Sequence, residues 1–221
     1  MSNPIKPTIK TEFFSLAIII LTLAASVFFY NNLPERIATH WNFAGEADGW
    51  GSGPMQAIIF PLIIIGTYLI FVFIPYLDPK KERYEQFNRV YHIFKNIILT
   101  LLVIVYFLMC LNGLGYNLPV GIIMPILIGL LFIIMGNYMA KLKQNWFIGV
   151  KTPWTLSSEE VWNKTHRVGG KMFILAGLLM MAQVILPNSW KLAVFITTML
   201  ILLVGTIGYS YIAYFQEKKK K

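Results

Sequence analysis

NWFIGVKTPWTLSSEEVWNKTHRVGGK, residues 145–171, decides how the rest of the chain is read, because it is dense in polar and aromatic side chains while long apolar runs flank it. Lys151-Thr152-Pro153-Trp154 reads as an extended piece: Pro153 fixes its own φ and pushes Thr152 out of the helical region, so no helix is expected through it. Ser157 followed three residues later by Glu160 has the form of a capping box, which predicts a helix from near Ser158. On that helix Glu160 and Lys164 stand at i, i+4 with the acid first, the favourable order. Val161, Thr165 and Val168 share one stripe, and Trp162, His166 and Gly169 the neighbouring one. Gly169-Gly170 then either loosens the backbone or admits a closely approaching helix.

The surroundings of this stretch are set by composition. With 57% hydrophobic and 13% charged residues, a 221-residue chain lacks the charge that a soluble surface needs. Six apolar segments, 13–30, 56–77, 93–112, 120–140, 172–188 and 191–215, each come close to the ~20 residues that cross ~30 Å of hydrocarbon. The fifth is short, and reaches full length only if the helix begun near Ser158 continues through a snorkelling Lys171. The reading is an all-α polytopic membrane protein with six transmembrane helices and a short cytoplasmic helix leading into helix five.

Orientation follows from the basic residues, which gather in short cytoplasmic loops. Of the 19 Lys and Arg residues, all but Arg36 and Lys191 fall on one side of this topology. Both termini, with Lys218–Lys221, and the 145–171 stretch are therefore expected in the cytoplasm. The formal charge of +9 is a topology signal that favours contact with the lipid bilayer rather than direct nucleic-acid binding. Met1–Lys10 followed by an apolar run has the outline of a secretory signal with Ala24-Ala25-Ser26 as a cleavage site, but the run continues through Tyr30, and we read it as an uncleaved first helix. Cys110, the single cysteine, excludes an internal disulfide framework.

Outside lies NNLPERIATHWNFAGEADGWGSGPM, residues 31–55, a glycine- and proline-punctuated stretch that reads as a turn-rich loop with Trp41 and Trp50 at the membrane interface. His40, Glu46 and Asp48 are weak candidates for a divalent metal, since they lack an HxH or HExxH spacing; alternatively Asp48 holds the loop through backbone amides. His92, beside Arg89 and Lys95, reads as structural or interfacial, and Asn137 is placed to hydrogen-bond across to the cytoplasmic stretch. No segment core is expected to hold an ionisable residue, which lowers the transporter and intramembrane-protease readings.

The outer LPERIATHWNFAGEADGW resembles the DUF1648 pattern. Gly136-Asn137, Asn145-Trp146-Phe147-Ile148-Gly149, Lys151-Thr152-Pro153-Trp154-Thr155-Leu156, Glu160-Val161-Trp162 and Thr165-His166-Arg167 resemble the signature of the SdpI family. The family usually has Arg where this chain has Lys151, which keeps the charge and loses the planar fork. The resemblance implies two regions: 1–92, DUF1648-like, with helices 1–2, outer loop 31–55 and cytoplasmic turn 78–92; and 93–221, SdpI-like, with helices 3–6 and signature loop 141–171. It further implies a multi-pass plasma-membrane protein whose best-known relative gives immunity to a secreted peptide toxin and holds a soluble autorepressor at the membrane.

The leading expectation is thus an immunity and signalling protein without a cofactor. His40, Trp41, Asn42, Glu46, Asp48 and Trp50 would meet the secreted peptide toxin. Asn137, Asn145, Gly149, Lys151, Thr152, Pro153, Trp154, Glu160, Trp162, His166 and Arg167 would meet a soluble repressor protein or close the inner face structurally. The alternative is a membrane-embedded enzyme or transporter acting on lipid or peptide, with His166 and Glu159 or Glu160 as acid and base, or a metal at the outer loop. No nucleophile–base spacing supports that alternative.

Overall fold

The computed structural model describes residues 5–219. Met1–Pro4, within the signal-like start, and Lys220–Lys221, within the terminal lysine run, lie outside the described residues. In chain order the elements are α1 (Ile9–Asn32), β1 (Arg36–Trp41), β2 (Ala47–Ser52), α2 (Gly53–Leu77), α3 (Asn88–Gly113), α4 (Val120–Met139), α5 (Pro153–Ser157), α6 (Glu159–Ala182), α7 (Asn188–Leu200) and α8 (Thr206–Lys218). A 3-10 segment, Lys81–Phe87, leads into α3, and a π-helical segment, Ile201–Gly205, joins α7 to α8.

Among the described residues six helices are long and apolar enough to cross a membrane: Ile9–Asn32, Gly53–Leu77, Lys81–Gly113, Val120–Met139, Glu159–Ile185 and Asn188–Lys218. The molecule is a multi-pass membrane protein. Its fifth apolar helix runs unbroken from Glu159, so Gly169 and Gly170 lie inside it rather than at a break.

Two units contribute these elements. One comprises Pro7–Val72 and Lys95–Met124. Its α1 starts with a Thr8/Thr11 capping box and ends where Pro34 forces Leu33 into an extended conformation. Phe29 meets Tyr106 edge-to-face at 5.6 Å, and the Ser26 hydroxyl donates to the Ala57 carbonyl at 2.6 Å. Ile19, Ile64, Leu99 and Val103 complete the core around them.

Two features of this unit depart from the sequence reading. Residues 31–55, read as a turn-rich loop, hold a hairpin instead: β1 and β2 pair antiparallel, with Ala38 opposite Trp50 and His40 opposite Gly49. The glycines of ADGWGS, which read as turn residues, instead give β2 room to pair. A β-carbon on Gly49 would stand 2.7 Å from His40 Cβ, and one on Gly51 3.1 Å from Thr39 Cγ2. A two-stranded hairpin is marginal alone. This one is anchored by Ile37, only 1% exposed, whose Cγ2 occupies the space a Gly113 side chain would need.

The second departure is a buried charge. Lys95 Nζ lies 2.5 Å from Glu12 Oε2, with both side chains buried, and 5.5 Å from the centre of the Tyr68 ring. Ser15 Oγ donates to Asn96 Oδ1 beside them at 2.8 Å. The pair sits at segment ends, Glu12 just before the 13–30 run and Lys95 near the start of 93–112, so the first turn of α1 supplies a carboxylate to a lysine read as a solvated boundary residue.

The other unit comprises 5–6, Phe73–Phe94 and 125–219. Its helices α4 and α6 touch through glycines: a β-carbon on Gly136 would meet the Gly170 carbonyl at 2.6 Å, and one on Gly177 the Gly129 carbonyl at 2.5 Å. Close approach, rather than loosening, is what the glycines provide in α6. Asn137 does not reach across; its amide donates to Ile133 of its own helix at 2.9 Å and it is exposed.

Candidate functional site

The 145–171 signature stretch is built from turns that consume their own polar groups. Asn145, fully buried, accepts from the Phe147 and Ile148 amides at 2.9 and 2.7 Å and donates to the Lys143 and Ile148 carbonyls at 2.9 Å each. Gly149 follows with φ +117°, a conformation that glycine supports and L side chains resist. A β-carbon there would stand 2.3 Å from His166 Nε2.

That nitrogen is occupied by the next residue. The Val150 amide donates to His166 Nε2 at 3.0 Å, and Nδ1 lies 2.8 Å from the Trp162 carbonyl. A carbonyl only accepts, so Nδ1 carries the proton and the imidazole is the neutral Nδ1–H tautomer. Its ring stacks on Trp162 at 3.9 Å, while the Trp162 indole donates to the Leu142 carbonyl at 2.9 Å. Both rings are fully buried. His166 therefore has neither an open face nor a carboxylate partner for acid–base work among these contacts.

Thr152-Pro153 was expected to stay extended. Thr152 does, at φ −123°, ψ 162°, but Pro153 opens the five-residue α5, since its fixed φ suits the first helical position and its missing amide proton is not needed there. The capping box belongs to this helix and joins Thr152 to Thr155. The next helix starts one residue later than the Ser157/Glu160 pattern suggests: Ser158 caps α6 by accepting from the Val161 amide, and its hydroxyl donates to Glu217 at 2.5 Å. Glu160 instead pairs with Lys164, as its i, i+4 spacing predicts. Thr152 donates to Ser210 of α8 at 3.0 Å, and Trp154 meets Tyr211 edge-to-face at 5.2 Å.

Two residues that hold this corner were not singled out from the sequence. Asp78, 2% exposed, accepts from the Lys80 amide, the Tyr84 hydroxyl and the Trp146 amide. Gln144, 3% exposed, donates to the Thr155 and Leu156 carbonyls and accepts from the Lys80 ammonium. Their signal was position alone: a lone Asp before Pro79 where an apolar run stops, and a Gln inside a lysine-rich loop. Of the signature residues, Lys151, Pro153, Glu160 and Arg167 are exposed and Trp154 is half-buried.

The hairpin residues divide differently. Asn42 organises the tip, its carboxamide oxygen accepting from the Ala44 and Glu46 amides and its nitrogen donating to Glu46 Oε2 at 3.2 Å. Gly45, at φ +85°, completes that turn. His40 Nδ1 and Asp48 Oδ1 lie 2.5 Å apart on an exposed face, so Asp48 engages a side chain instead of backbone amides. Arg36 sits over the Trp50 ring at 5.3 Å. Glu46 is turned toward Asn42, and among the described residues no three His, Cys, Asp or Glu side chains gather to hold a metal ion.

The pieces with this internal logic are also those that known proteins share. Residues 141–210 match the SdpI/YfhL protein family and residues 17–65 match a domain of unknown function, DUF1648. The chain is 28% identical over 202 residues to Immunity protein SdpI of Bacillus subtilis (strain 168), an alignment covering 91% of this chain and 95% of that protein. Over these spans the chain is similar to the SdpI/YfhL family and to DUF1648. No solved structure matches it. The matched 141–210 span takes in the Asn145 turn and α6 and ends at Ser210, the residue that receives the Thr152 hydroxyl. The DUF1648 match takes in the whole hairpin.

Proposed function

We propose that this protein is a membrane immunity protein that captures a secreted peptide toxin on its hairpin and signals through the exposed residues of its signature corner. The observation that carries the toxin reading is the exposed face of the hairpin. Trp50 is 53% and Phe43 43% exposed, while Glu35, Glu46 and Asp48 are exposed acids. Large apolar side chains held out on a rigid hairpin beside carboxylates suit a hydrophobic, cationic peptide. Likeness to an immunity protein over nearly its whole length supports the same reading. On the signature corner, Trp154, Glu160 and Arg167 are the groups a soluble repressor would meet, and Trp162 and His166 form the buried part of the helix that carries Glu160 and Arg167.

The test is survival of a toxin-sensitive Bacillus strain expressing the chain and challenged with the family's secreted peptide toxin. Parent, Trp50→Ala and Asp48→Asn would be compared at equal membrane abundance. Protection by the parent that either variant loses upholds the proposal. A well-inserted parent that gives no protection ends it.

A further inference from the structure

The turn after α4 displays two large rings that its own fold does not use. Trp146 is 49% and Phe147 37% exposed, although both of their backbone amides are hydrogen-bonded to buried side chains. Asp78 holds the Trp146 amide and Asn145 holds those of Phe147 and Ile148. These are buried acceptors, so the rings are presented by a fixed turn.

Two further observations say what the rings face. Asp78 is the residue after Leu77, the end of an apolar helix, and the turn itself follows α4 by a few residues; the rings therefore stand at the level of helix ends, where tryptophan collects in membrane proteins. The segment 140–152, AKLKQNWFIGVKT, has three lysines and no acid. Asp78, the nearest carboxylate by contact, is buried and already accepts three hydrogen bonds. The Lys151 ammonium donates to the Phe147 backbone carbonyl at 2.8 Å, which holds a cation on the turn that carries the rings and leaves two N–H donors for an acceptor outside the chain.

We propose that this turn is a binding site for the phosphate headgroup of an anionic lipid in the leaflet on its side, with Lys151 and Lys143 meeting the phosphate and Trp146 and Phe147 entering the interface beside it. Ring burial requires an apolar layer next to the charge. An acidic soluble partner would supply the charge without placing that layer at the helix ends, and it becomes the reading that a negative result favours.

Native mass spectrometry of the full chain in detergent micelles, titrated with short-chain phosphatidylglycerol or phosphatidylcholine, tests the site. The parent retains phosphatidylglycerol on the order of tenfold more tightly, and Lys143→Gln/Lys151→Gln loses that preference, as two fewer charges near an anionic surface require. A Lys6→Gln/Lys10→Gln control keeps the preference, and inorganic phosphate does not displace the lipid. Equal retention of the two lipids by the parent, or an unchanged preference in the Lys143/Lys151 variant, overturns the proposal. Quenching by brominated phosphatidylglycerol gives a second readout that a folding defect does not mimic. Quenching falls in Trp146→Phe if Trp146 is the inserted ring, and equal quenching of parent and variant overturns the placement.

Discussion

Gly149 lies so close to His166 that no side chain fits between them, and the Val150 amide next to it donates to the same imidazole nitrogen. The left-handed backbone at Gly149 and the buried ring at His166 are thus one construction. Gly149→Ala adds strain at φ +117° to a 2.3 Å collision, and should cost roughly 2 to 4 kcal/mol. Thermal unfolding in detergent would show it. His166→Ala placed on top should cost less than it does in the parent, because it removes the collision; strict additivity of the two would contradict the geometry.

The Glu12–Lys95 pair makes a sharper prediction for stability. Removing one partner leaves the other buried without its counter-charge, so Glu12→Gln or Lys95→Met alone should destabilise by about 3 to 5 kcal/mol. The double variant Glu12→Leu/Lys95→Met should recover most of that loss. The checks are melting temperature and the yield of monodisperse protein, and a double variant worse than both singles would show that the charges do something beyond compensating each other.

Tryptophans of the signature should separate by role. Trp162 is fully buried and bonded to the Leu142 carbonyl, so Trp162→Ala should cost about 3 to 5 kcal/mol and abolish any function through loss of folded protein. Trp154 has one edge-to-face contact with Tyr211 and is half-buried, so Trp154→Ala should cost only about 1 to 2 kcal/mol. Protease resistance of membrane preparations, measured beside any signalling assay, distinguishes the two.

On the hairpin the His40–Asp48 pair is exposed, at 70% and 45% of the side chains, and such pairs contribute ~0 to 1 kcal/mol. His40→Gln and Asp48→Asn should therefore leave the melting temperature nearly unchanged. A drop in protection against the toxin without a drop in stability would place these residues in recognition, whereas a large loss of stability would assign them to the hairpin itself.

The helices were legible because crossing hydrocarbon demands long apolar runs, and the six segments found by that demand lie within the six observed ones or overlap them to within a few residues. The i, i+4 pair Glu160/Lys164 and the buried stripe of Val161, Trp162, Thr165 and His166 were legible for the same periodic reason. What was not legible depends on partners distant in sequence. β2 pairs despite its glycines because His40 and Thr39 lie across from them. Ser158 rather than Ser157 caps α6, with Glu217 accepting the hydrogen bond from its hydroxyl. Lys95 looked like a solvated boundary residue until Glu12 was placed beside it. Asp78 and Gln144 were missed because each also acts on backbone groups well removed in the chain, the Trp146 amide and the Thr155 carbonyl.

The π-helical segment Ile201–Gly205 changes how the last membrane crossing can be edited. A π turn holds one residue more than an α turn, so the faces of α7 and α8 are out of phase by about 100° relative to a continuous α-helix. Deleting a single residue there, which would count as a defect in most helices, would bring the two halves into phase and turn Thr206 and Ser210 away from their present neighbours if α7 stayed fixed. The reading frame of side chains along this helix is itself part of what seats Ser210 under Thr152.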